Sequence, residues 1–215
     1  DGHEANHFRR ALQELDDFNR NATRGRFDRG SLNSALDNMG DLARADQLHP
    51  RDRQIIRARM DDLRITLVQA ETRWHDPAAN RALYGDLVRS VAGRSDLVVL
   101  PETLTSGFTN ETVGNAEGPD GESVRWFRAL AAETGATLAG SMVTRDGERY
   151  CNRLYWMRPD GSCATYDKRH LFRYAGEHLR YAAGGERLVV ELKGWRVCPL
   201  VCYDLRFPVY LRNRW

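Results

Sequence analysis

Two patterns of apolar positions divide the chain. Up to residue 59 the large apolar residues are sparse and recur at helical spacing. Phe8, Leu12, Leu15 and Phe18 predict a first helix, because positions three to four apart share one face. Gly25 and Gly30 punctuate, and Ser31 is a candidate cap for a second helix carrying Leu32, Leu36, Met39 and Leu42. Pro50 suits the first turn of a third, with Ile55, Ile56 and Met60 apolar. So thin an apolar set leaves three readings open for residues 1–59: a small helical extension, a partner-binding appendage, or a partly disordered segment.

From residue 60 the pattern changes. Residues 65–69 and 96–101 read as strands, the second a short continuous apolar run ending at Pro101. Residues 80–91 read as a helix with Leu83, Leu87 and Val91 on one face, and 123–134 as another with Val124, Phe127 and Leu130. Strands follow at 137–143 and 152–157, with a turn at Arg158-Pro159-Asp160-Gly161. Residues 188–192 and 196–201 predict a hairpin turning at Lys193-Gly194. Strand–helix–strand alternation followed by hairpins predicts an α/β domain with a mixed sheet over 60–215.

Composition narrows the class. A hydrophobic share of 41% against 29% charged residues is ordinary for a globular domain, and 215 residues allow one or two such domains. The net charge of +2 gives no field for recruiting nucleic acid or an anionic membrane. No apolar run nears the roughly 18 residues of a membrane span, and the start carries no secretory pattern. The four cysteines, Cys151, Cys163, Cys198 and Cys202, form no paired C-x-x-C knuckle, so neither metal nor a disulfide framework is expected. Reduced thiols and a cytoplasmic setting follow as expectations. Asn21-Ala22-Thr23 is a glycosylation sequon that carries no weight in that setting.

Three residues stand where chemistry is done. Glu102 follows the strand-like run ending at Pro101, Lys168 lies in Tyr-Asp-Lys-Arg-His-Leu-Phe, and Cys202 ends the strand-like run 195–201. A carboxylate, an amine and a thiol suit covalent attack on a carbonyl or nitrile carbon. A thiol of pKa about 8.5 is mostly protonated at neutral pH and needs a base. Glu102 suits that work, Lys168 suits a developing oxyanion, and the backbone N–H of Tyr203 is a candidate second donor. Such chemistry needs no cofactor.

These segments also carry a resemblance. Leu-Pro-Glu-Thr at 100–103 with Ser-Gly-Phe at 106–108, Tyr-Asp-Lys-Arg-His-Leu-Phe at 166–172 and Val-Cys-Tyr-Asp-Leu-Arg-Phe-Pro at 201–208 resemble the carbon–nitrogen hydrolase (nitrilase) superfamily. Arg73-Trp-His-Asp-Pro and Gly176-Glu-His-Leu-Arg-Tyr-Ala-Ala-Gly are similar to its omega-amidase branch. The resemblance begins near residue 60 and excludes the helical segment. It implies an α-β-β-α sandwich pairing into a homodimer or larger homo-oligomer. It also implies a small-molecule amide substrate such as 2-oxoglutaramate, and a second carboxylate, Glu177, orienting substrate and water.

An anionic substrate calls for a basic partner, and Arg173, Arg180 and Arg206 are candidates. Arg206 and Asp204 are alternatively expected to pair with each other or to brace the nucleophile's turn. Phe108, Tyr174 and Phe207 suit an apolar wall, while His170 and His178 are read as structural. Cys198, four residues before Cys202, is read as packing. The family's domain continues past Trp215, so the sandwich is expected to be incomplete at that end. Met60 resembles a natural domain start, so residues before it suggest a processed end or a fusion. Other substrates of the superfamily, N-carbamoyl amines or nitriles, and an inactive remnant with an interaction role remain alternatives.

Overall fold

The computed structural model describes residues 63–212 together with Arg10 and Gln13, which are helical and exposed. The other positions of the three helices expected before residue 60 lie outside the described residues. The chain divides into two units between Asp62 and Leu63, and the fold below is that of the second.

Five strands form one mixed sheet. They are β1 (Ile65–Leu67), β2 (Leu97–Val99), β3 (Thr137–Asp146), β4 (Arg149–Met157) and β5 (Cys163–Asp167), side by side in that order. β1, β2 and β3 run parallel, which requires crossovers between them. Helix α1 (Pro77–Arg89) lies in the first connection; α2 (Thr112–Asn115) and α3 (Glu122–Thr134) lie in the second. β4 and β5 return antiparallel. A separate hairpin, β6 (Val190–Leu192) and β7 (Trp195–Val197), follows. Last come a 3-10 turn at Cys202–Arg206 and the short helix α4 (Pro208–Leu211).

The sheet is covered on both faces, which explains why β2 and β3 read as continuous apolar runs rather than alternations. Val98, Leu138 and Met142 pack with Tyr84 and Val88 of α1 and with Val124, Phe127 and Leu130 of α3. Leu97 and Ala139, one residue out of step and so on the opposite face, pack with Trp156, Tyr166, Val190 and Val201. The second core therefore joins the sheet to the hairpin and to the segment entering Cys202.

Local chemistry sets the boundaries. α1 begins three residues before the expected 80, because the Asp76 carboxylate accepts from Ala79 N at 2.9 Å and Pro77 occupies the first turn. The hairpin turns at Lys193 and Gly194, whose φ values of 50° and 78° are the paired positive angles of a tight two-residue turn. Its second strand stops at Val197 rather than running to 201. Pro199 has no N–H for a ladder, so the approach to Cys202 is an irregular segment. β5 was not expected; it pairs along β4 with Trp156 opposite Ala164, and its end delivers Lys168. Among the described residues no helix is long and apolar enough to cross a membrane.

Candidate active site

Glu102 stands where the chain leaves β2 and crosses the end of β3. Leu100 N donates to Ala139 O at 2.7 Å and Leu104 N to Ser141 O at 2.9 Å. Between them Thr103 adopts φ 46°, and its N–H donates to Ser141 Oγ at 2.8 Å. A left-handed threonine is costly, and such strain is found where a turn has a task.

Lys168 follows β5 directly and is almost wholly buried, at 1% side-chain exposure. Its backbone N–H donates to Asn152 O at 2.9 Å. Its ammonium donates to Glu102 Oε1 at 2.6 Å and to Glu177 Oε2 and Oε1 at 2.9 and 3.2 Å. Burial works against the charge on Lys168, but the Glu102 and then the Glu177 carboxylates outweigh it and raise its pKa, so the ammonium persists at neutral pH. Asn152 of β4 completes the cluster, with Nδ2 donating to Glu102 Oε1 at 2.8 Å and to Glu177 Oε1 at 3.1 Å.

Cys202 opens the 3-10 turn with φ 42°, in the left-handed region like Thr103. The turn is anchored by Asp204, which is fully buried. Its carboxylate accepts from Val201 N, Tyr166 Oη, His170 N and His170 Nδ1, at 3.2, 2.8, 2.9 and 2.8 Å. His170 stacks on Phe207 at 3.7 Å between ring centroids. Asp204 thus braces the nucleophile's turn and does not pair with Arg206. Burial, then the charge and hydrogen bond of Glu102, push the Cys202 thiol up, with Lys168 pulling the other way.

One cavity of about 330 Å³ is lined by Glu102, Lys168 and Cys202 together with Phe108, Phe172, Ala175 and Tyr203. The three sequence candidates, 100 positions apart at the extremes, therefore share one wall. Phe108 lies in that wall, 5.8 Å from Lys168 Nζ. A second space, of about 340 Å³, meets Glu102 and Cys202 from the side of Val99, Ser141 and Leu200. A third, also about 340 Å³, lies beyond Tyr203 and holds Arg169, Arg173, His170 and His178.

Arg173 thus lines the third space and not the one holding the thiol. Arg206, Arg180 and Tyr174 are exposed and line none of these three. Glu177 is fully buried behind Lys168, with Phe172 N also donating to its Oε2. Asn152, Ser141 and Phe172 escaped the sequence reading. Only Asn152 left a signal, an amide in a strand whose neighbours are mostly large and apolar.

All four cysteines are free. Among the described residues no group of three or more His, Cys, Asp or Glu side chains is arranged to hold a metal ion.

A thiol, a carboxylate and a buried ammonium thus meet at one cavity of a mixed α/β fold. Residues 64–213 match the carbon-nitrogen hydrolase family, and the chain belongs to that family. It is 45% identical over 155 residues to omega-amidase YafV of Yersinia enterocolitica, covering 72% of this chain and 60% of that protein. It is 30% identical over 152 residues to 2-oxoglutaramate amidase of Bacillus subtilis, covering 69% and 59%. The crystal structure of XC1258 from Xanthomonas campestris, a CN-hydrolase superfamily protein with an arsenic adduct in its active site, superposes with a TM-score of 0.70. It is 61% identical and covers 71% of this chain and 58% of that one. An amidase from Nesterenkonia sp. with acrylamide added at its active site cysteine superposes with a TM-score of 0.62 at 26% identity, covering 68% and 60%. The chain spans about 60% of the length of these relatives.

Proposed function

We propose that the protein hydrolyses the terminal amide of a small omega-amide such as 2-oxoglutaramate, releasing ammonia and the acid through a thioester on Cys202. One observation carries this reading: the Lys168 ammonium is held between Glu102 and Glu177 beside the Cys202 thiol.

Glu102 Oε1 is occupied by Lys168 and Asn152, so Oε2 is the oxygen open to take the thiol proton. The sulfur then attacks the amide carbon. The oxyanion is stabilised by Lys168 Nζ and by the N–H of Tyr203, one of the first N–H groups of the 3-10 turn, which have no partner within it. Glu102 hands its proton to the departing nitrogen, and ammonia leaves the thioester behind. It next takes a proton from water; the hydroxide attacks the thioester, and the thiolate is expelled and reprotonated. Glu177 offers no open oxygen to substrate or water. Its work is to keep Lys168 charged and fixed.

The space beyond Tyr203 supports an anionic end on the substrate. His170 there is hydrogen-bonded to Asp204, and Arg169 and Arg173 line the space with no acidic residue among its lining. The same reading carries an α-β-β-α sandwich, pairing with a second copy and a cytoplasmic setting. Ammonia release from 2-oxoglutaramate, measured beside N-carbamoyl amines and aliphatic nitriles, tests it. Turnover confined to the omega-amide, and lost in Cys202→Ala with the melting curve unchanged, is expected. Faster turnover of a nitrile or carbamoyl amine removes the substrate assignment, and ammonia release that survives Cys202→Ala removes the mechanism.

A further inference from the structure

Asn152 sits on β4, opposite Val143 of β3, and is buried to 1% exposure. One residue touches every part of the charge cluster. Its carbonyl accepts the backbone N–H of Lys168, and its Nδ2 donates one bond to Glu102 and one to Glu177. The remaining atom, Oδ1, is buried with no hydrogen-bond partner among the described residues.

That orphan oxygen identifies the constraint. Leaving a buried acceptor unmade is costly, so an amide free to turn would turn to avoid it. Asn152 is not free. Ionised carboxylates only accept, and rotating the amide would set Oδ1 against the Oε1 atoms of both glutamates. The fold tolerates an unsatisfied acceptor in order to keep two donors on two anions. A local rule broken in this way, with its compensation at a functional cluster, is the signature of a residue kept for its task.

The task follows from the lone pairs. Glu102 Oε1 has two, one taken by Lys168 and the other by Asn152. The carboxylate is thereby held against rotation about its last bond, and Oε2 takes no part in these bonds. With Lys168 alone, the carboxylate is free to offer either oxygen to the ammonium and to swing. Asn152 also adds a donor to each of two carboxylates that share a single ammonium.

We propose that Asn152 is a positioning residue of this site: it locks Glu102 so that one ionised oxygen faces the Cys202 thiol, and it spaces Glu102 from Glu177 around Lys168. The proposal rests on reading Glu102 and Cys202 as base and nucleophile. Its test does not need the substrate. The reactivity of Cys202 toward iodoacetamide is followed against pH by tandem mass spectrometry, whose fragment ions place the label on Cys202 rather than on Cys198, four residues before it in the same peptide.

Asn152→Ala is expected to move the Cys202 inflection down toward an ordinary thiol, because a loosened Glu102 no longer holds the proton there. Glu102→Gln should move it the same way. The double variant should move no further than Glu102→Gln alone, which marks action through Glu102. In ammonia release, kcat of Asn152→Ala should fall within the roughly 10²–10⁴-fold worth of a positioned base while KM stays within about threefold. Asn152→Ser, which keeps a single donor, should fall between. An inflection unchanged in folded Asn152→Ala, or a double variant that shifts further than Glu102→Gln, overturns the proposal. Failure of both Asn152 variants to fold also overturns it, since the residue is then a structural one. If no omega-amide is turned over but the inflections move as stated, the positioning role stands and only the substrate reading falls.

Discussion

The Tyr166 phenol donates to the Asp204 carboxylate at 2.8 Å. That single bond ties β5, the strand that delivers Lys168, to the turn that carries Cys202. The Tyr166 hydroxyl is pushed far above an ordinary phenol, first by burial and also by the hydrogen bond and charge of Asp204, so it remains a donor at any working pH. The alignment of ammonium and thiol therefore depends on a carboxylate that touches neither.

Asp204→Ala is expected to be costly for this reason. Four donors lose their acceptor at once, and each buried donor left unmade costs about 1–3 kcal/mol before relaxation. A loss of at least about 3 kcal/mol in urea unfolding is expected, against a smaller loss of about 1–2 kcal/mol for Tyr166→Phe, which removes one of the four donors together with the acceptor of Arg169 N. A small loss in Asp204→Ala would show that the turn holds its own shape.

Lys168→Met separates stability from chemistry. It leaves Glu102 and Glu177 facing each other without their ammonium, and breaking a buried pair from one side costs about 3–5 kcal/mol. Turnover should fall by roughly 10²–10³ with the loss of an oxyanion donor. Adding Glu177→Gln removes one of the stranded charges. The double variant should recover part of the unfolding free energy and none of the turnover. Recovery of both would remove Lys168 from the reaction.

The resting thiol is expected to be protonated at neutral pH. Burial and the Glu102 carboxylate both disfavour the thiolate, so alkylation of Cys202 should rise with pH through an inflection above the roughly 8.5 of a free thiol. The sign is definite: Glu102→Gln removes a negative charge and moves the inflection down, and Lys168→Met removes a positive one and moves it up. A wild-type inflection below about 7 contradicts this arrangement and points to a preformed thiolate.

Gly184→Ala tests how tightly the lysine is seated. Gly184 N donates to Lys168 O at 3.0 Å, and a Cβ at this position would fall inside contact distance of the Asp167 carbonyl. Backbone on both sides leaves nothing flexible to yield. About 1–3 kcal/mol of overpacking is expected, together with a fall in turnover as Lys168 shifts. A variant that is stable and fully active would show that the loop relaxes freely.

Much of the described unit was legible along the chain. The helices α1 and α3, the parallel strands between which they run and the turn at Lys193-Gly194 are written in local periodicity and turn chemistry. Two errors share one cause. β5 was not expected, and the strand before Cys202 was extended to Val201. Strand status is conferred by a partner, and the partner of β5 is β4, whose position no local pattern reveals. Phe108 lines the cavity that holds Cys202, whereas Arg173 lines a neighbouring space and Arg206 lies outside all three, because exposed arginines look alike in sequence.

By itself, the chain determined which groups are available for chemistry: Glu102, Lys168 and Cys202 stand in short motifs, and reactivity begins with residue type. Tertiary structure alone decided how they act. It brought Glu102, Lys168 and Cys202 to one cavity, set Glu177 as a counter-charge to Lys168, and placed Asn152 against both glutamates and Asp204 under the turn of Cys202. Hydrogen-bond direction, burial and charge balance are relations between distant segments, and they come into being only when the sheet brings those segments within bonding distance.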